Sequence, residues 1–74
     1  MQTQIIVRHV PTGNRWVADK KELTEEEFVK SKNMLGHVAG GKVEYFALEI
    51  GNEKVYFPEN VLKDCVISIV SSLT

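Results

Sequence analysis

Two β-prone runs, Val43 to Ile50 and Glu53 to Phe57, meet at Gly51-Asn52. A two-residue Gly-Asn loop between such runs predicts a hairpin, because glycine at the first central position accepts the positive φ of a type II′ turn. Strand alternation then fixes which side chains share a face. Val43, Tyr45 and Ala47 lie on one side of the first strand, and Phe46, Leu48 and Ile50 on the other. Val55 and Phe57 oppose Lys54 and Tyr56 in the second. Both faces of the first strand are largely apolar, which predicts a central strand or one covered by a partner. Pro58 cannot donate to a ladder and ends the second strand. Pro58-Glu59-Asn60 predicts a turn or one short helical turn, with Val61 and Leu62 packing down as the chain reverses. The next strand runs from Cys65 to about Val70, with Cys65, Ile67 and Ile69 opposing Val66, Ser68 and Val70.

Before this stretch the chain opens on an alternating run, Gln2 to Val10. Pro11-Thr12-Gly13-Asn14 supplies a turn, and Arg15 to Ala18 returns as a short strand anchored by Trp16. Asp19 to Glu22 reads as a charged connection. Thr24 followed by Glu27 is a capping box, and Leu23 with Phe28 completes a hydrophobic staple. Glu25, Glu26 and Glu27 favour the positive end of the helix dipole. The expected helix runs from Glu25 to about Leu35, with Gly36 as its stop and Phe28, Leu35 and Val29 as its apolar contacts. His37 to Gly41 is expected as a loop.

The predicted order is ββαβββ, an α+β fold. Its antiparallel sheet is strongly bent or closed into a small barrel, with one helix packed on it. At 74 residues the chain is expected to form a single domain, residues 1–74, with a core modest enough that oligomerisation would help it. Apolar content of 43% with 26% charge argues against disorder. The single cysteine excludes an internal disulfide and fits a reducing compartment. There is no secretory signal pattern and no apolar run long enough to span a membrane, so a cytoplasmic location without membrane contact is expected.

No motif specifies catalysis. His9, His37 and Cys65 lack metal-ligand spacing, and a Cys-His nucleophile pair would need the two to be neighbours in space. Consecutive glutamates point around the helix and form no dyad. Gly40-Gly41-Lys42 precedes a strand where a phosphate loop would precede a helix. No enzymatic activity, cofactor or metal is therefore expected. The first 23 residues carry four basic side chains against two acids, a balance of +2, and the remainder carries −3. Arg8, Arg15 and Trp16 can sit near one another across the first hairpin, an arrangement that also suits single-stranded nucleic acid.

Asp64-Cys65-Val66-Ile67-Ser68-Ile69-Val70 resembles the last strands of the Sm-like RNA chaperones, small five-stranded barrels that assemble into rings. The match lies in the apolar-Ile-Ser pattern over about seven residues. Asp64 and Cys65 stand where that family has a basic Lys-His pair, and the helix here follows a hairpin where the family's comes first.

Spare apolar strand surface without catalytic groups points to binding. The leading expectation is a small non-enzymatic protein-binding or regulatory module, of the kind a phage or mobile element encodes to modulate a host protein. Its expected contact residues are Arg8, Arg15, Trp16, Tyr45 and Tyr56, and the joint loss of Arg15 and Trp16 is expected to weaken binding while leaving the fold intact. The alternatives are a nucleic-acid-binding small barrel that uses the first hairpin and a structural homo-oligomer subunit.

Overall fold

A computed structural model describes residues 1–72. It contains β1 (Gln2–His9), β2 (Arg15–Val17), β3 (Lys21–Glu22), α1 (Glu25–Ala39), β4 (Tyr45–Ile50), β5 (Glu53–Pro58), α2 (Glu59–Leu62) and β6 (Cys65–Ser72). The fold is α+β with one main helix, and all strand pairs are antiparallel. The strands fall into two sheets where a single bent sheet was expected, and no closed barrel forms among the described residues. In the first sheet β1 is central. β2 and β3 share one of its edges and β6 pairs along the other. The second sheet is the β4–β5 hairpin. There Gly51 takes φ +61° while Asn52 does not take a positive φ, as a type II′ turn requires.

Asp19 to Glu22 is more than a connection. Thr3 pairs with Lys21 and Ile6 with Val17, so the two residues between Thr3 and Ile6 face three between Val17 and Lys21. The extra residue is a β-bulge, which bends the edge and re-aims side chains. At the bulge Ala18 donates its amide to the Ile5 carbonyl (2.8 Å) and accepts from the Gln4 side-chain amide (3.1 Å). Asp19 reaches the second sheet: its amide donates to the Glu49 carbonyl (3.2 Å).

The helix begins as the capping box predicts. Glu27 N–H donates to Thr24 Oγ1 (3.2 Å) and Thr24 N–H to Glu27 Oε1 (3.0 Å). It does not stop at Gly36 but runs one turn further, to Ala39. Glycine inside a helix costs about 1 kcal/mol, whereas the added turn buries Val38, worth about 1.5–3 kcal/mol; burial wins. The helix ends in a Schellman motif. Lys42 N–H donates to the His37 carbonyl (3.0 Å) and Gly41 N–H to that of Val38 (3.1 Å). Gly41 holds the required positive φ, +72°.

One core joins the layers. Val7 and Ala18 from the first sheet meet Phe46, Leu48 and Phe57 from the hairpin, Leu35 and Val38 from α1, and Leu62 from α2. Pro58 closes β5 and starts the single helical turn of α2, as the sequence suggested. The third strand of the C-terminal stretch leaves its hairpin and pairs with β1. Its Cys65, Ile67 and Ile69 can thereby join Ile5 and Val7 over the common core.

Candidate surface on the four-stranded sheet

Alternation along β1 sends Thr3, Ile5 and Val7 inward, because these are the residues the core covers, and leaves Gln4, Ile6 and Arg8 outward. The same rule sends Trp16 inward from β2 and leaves Arg15 and Val17 outside. On β6 it leaves Val66, Ser68 and Val70 outside. Strand register assembles these into a grid. Arg8 lies between Arg15 and Val66, Ile6 between Val17 and Ser68, and Gln4 beside Val70. A shallow depression of about 390 Å³ is lined by Ile6, Arg8, Arg15, Val66 and Ser68. Val66 and Val70 are 45% and 48% exposed. The nearest acid on this face is Glu22, which lies opposite Gln2 at the far end of β1 and pairs with the N-terminal ammonium at 2.7 Å; among the described residues neither arginine forms an ion pair.

The five expected contact residues therefore do not form one surface. Arg8 and Arg15 come together as direct cross-strand neighbours. Trp16 turns to the other face of the same strand, where its ring meets Phe57 edge-on at 5.1 Å. That makes it part of the packing, and its loss would disturb the fold. Tyr45 and Tyr56 lie on the outer face of the hairpin with ring centroids 5.7 Å apart, and Lys54 Nζ is 5.9 Å from the Tyr56 ring. Both sheets turn their inner faces to one core, so the arginine and tyrosine faces look away from each other.

Register places His9 opposite Cys65 across β1 and β6, a neighbour relation the sequence leaves open. The geometry does not activate the thiol. Cys65 Sγ donates to the Val61 carbonyl (3.3 Å), and His9 Nδ1 is engaged by Thr12 Oγ1 (2.8 Å). Burial, with a smaller contribution from the Asp64 carboxylate, pushes the Cys65 thiol up from its ordinary value, which disfavours the nucleophilic thiolate.

A cleft of about 360 Å³ opens beside α1, lined among others by Ile5, Leu23, Met34, Phe46, Leu48 and Ile69. Its rim charges are engaged: Lys21 Nζ is 3.7 Å from Glu49 Oε2, and Asp19 accepts from Gly51. Among the described residues no buried side-chain nitrogen or oxygen lacks a hydrogen-bond partner. Among the described residues no cluster of three or more His, Cys, Asp or Glu has metal-binding geometry, and no helix is long and apolar enough to cross a membrane.

The chain matches no protein-family model, no curated protein and no solved structure.

Proposed function

We propose that the protein is a non-enzymatic binding module that engages an acidic surface of another protein through the outer face of its four-stranded sheet. The observation that carries this reading is Arg8 directly opposite Arg15, with the one acid of the described outer face, Glu22, at the far end of β1 and paired with the N-terminal ammonium. Like charges in direct cross-strand register are destabilising. A carboxylate-bearing partner relieves that repulsion, and Ile6, Val66 and Val70 supply apolar contact area around the charged pair. The surface suits protein better than nucleic acid. Besides Arg8 and Arg15 its outward positions are aliphatic or small polar, with no aromatic platform for base stacking; Trp16 points inward and the tyrosine pair belongs to the other sheet. A small accessory protein that modulates a larger one fits a face of this kind.

The test is capture from lysate with the tagged chain, compared with a folded Arg8→Ser/Arg15→Ser variant and a Tyr45→Ser/Tyr56→Ser variant, each with and without nuclease. A discrete protein retained after nuclease, lost with the arginines and kept without the tyrosines, supports the reading. Equal capture by the arginine variant sinks it. Capture abolished by nuclease, with affinity falling steeply as salt rises, replaces it with nucleic-acid binding.

A further inference from the structure

The edges of the two sheets are not alike. Natural strands at sheet edges are blunted by charge, proline or bulges, which discourage pairing with another chain. The β2–β3 edge is broken by the bulge and carries Arg15, Lys21 and Glu22. β4 carries Glu49, and β5 carries Glu53, Lys54 and Pro58. β6 has none of these devices. Its eight residues, CVISIVSS, include no charge, no proline and no glycine. All eight pair with β1 in continuous register; α1 and α2 pack against β6, and among the described residues no strand lies on its far side. Ile67 and Ile69 on its inner face stay only half-buried, while Val7 beside Ile67 is 0% exposed.

We infer that β6 pairs antiparallel with β6 of a second copy, about a two-fold axis perpendicular to the sheet and midway between Ser68 and its counterpart. This axis keeps outer face with outer face. It sets Val66 opposite Val70 of the second copy, Ile67 opposite its Ile69, and Cys65 opposite its Ser71. The valines then meet on the outer face and the isoleucines on the inner face, while Ser68 meets its own counterpart. Centring the pairing one residue toward either end puts an inward-facing isoleucine at the centre and sets Val66 or Val70 against a serine. The strand is uncharged and each chain carries a net charge of only −1, so little electrostatic repulsion opposes association. The resulting sheet is continuous across both copies and carries two Arg8–Arg15 pairs on one face. An isologous contact of this kind closes on itself and does not propagate into a fibre.

The test is sedimentation velocity on the full chain from about 1 μM to about 1 mM, with two charge variants at exposed outer positions. Val66→Glu with Val70→Glu places like charges opposite each other twice across the axis. Val66→Glu with Val70→Lys places opposite charges there. The parent is expected to dimerise within this range. The Glu/Glu variant should have a dissociation constant raised roughly tenfold or more, and the Glu/Lys variant should return to within about threefold of the parent. A parent that stays monomeric throughout overturns the inference, as does a dimer that both variants leave unchanged or weaken equally.

Discussion

Asp19 holds the amide of Gly51 with both carboxylate oxygens, at 3.0 and 3.2 Å, and so ties the bulge of one sheet to the turn of the other. The bulge makes this possible. Regular alternation would leave residue 19 in the ladder beside β1, whereas the extra residue turns it toward β4. Asp19→Ala should lower stability by about 1 kcal/mol, since the bond is charge-assisted but exposed. For a chain of this size that is a drop in Tm of roughly 4–8 °C, read by thermal unfolding. An unchanged Tm would show that the tie contributes nothing to holding the sheets together.

Two glycines of the α1 region should respond to alanine in opposite directions. Gly36 sits inside the helix, and an added Cβ meets nothing within 4 Å. Gly36→Ala should therefore stabilise by about 0.5–1 kcal/mol. Gly41 also has open space, but it holds φ +72° for the Schellman motif. Gly41→Ala should destabilise by about 1–2 kcal/mol. Urea unfolding of both variants checks the assignment of the helix end. If the helix truly stopped at Gly36, the two effects would exchange places.

The C-terminal hairpin and the helix start were legible because each rests on short-range chemistry: Gly51 with Asn52, and Thr24 with Glu27. A reversal near Pro11 was legible too, but it spans Val10 to Thr12 and closes with Gly13 N–H donating to the His9 carbonyl (2.8 Å), one residue before the expected Pro11 to Asn14 turn. The helix end was not legible, because Val38 decides it through a burial that local sequence does not display. β3 and its bulge were hidden because Lys21 and Glu22 are both exposed and carry no apolar alternation. The partner of β6 is also a long-range choice, and alternation alone fits either sheet. Part of the candidate surface was legible: Arg8 and Arg15 fall on one face once the first hairpin is drawn. The aromatic residues misled, since Trp16 is adjacent to Arg15 in sequence yet opposite in face. Val66 and Val70 became candidates only when β6 was placed beside β1.

The capping box makes helix stability depend on acid. The Thr24 amide, then its hydroxyl and the nearby Lys30, hold the Glu27 carboxyl below its ordinary value. A carboxyl whose value is depressed by folding contributes stability that is fully present above its unfolded value. That stability is lost as pH falls through the depressed folded value. Glu27→Gln, which keeps an acceptor but no charge, should be less stable than the parent at neutral pH and converge with it in acid. Denaturant titrations at both ends of this window read the difference; a gap that persists unchanged into acid would remove the charge from the account. Thr24→Ala should cost about 1 kcal/mol at neutral pH.

The arginine pair should oppose stability while it serves binding. Arg8 and Arg15 face each other on adjacent strands without an acid between them, so replacing either removes a repulsion. Arg15→Thr should stabilise the free protein by a few tenths to about 1 kcal/mol, with threonine also suited to the strand. Charge and strand propensity separate by salt: the repulsive part should shrink at about 1 M salt, where the screening length falls to about 3 Å, while the propensity part should persist. A double-mutant cycle over Arg8→Thr and Arg15→Thr isolates the coupling, which should be unfavourable at low salt and close to zero at high salt. Under the proposed function the same substitutions should weaken capture of an acidic protein, so that stability and binding move in opposite directions. A cycle with no unfavourable coupling at low salt would mean that the two guanidinium groups splay apart into solvent, and the proposal of a binding surface here would lose the repulsion it rests on.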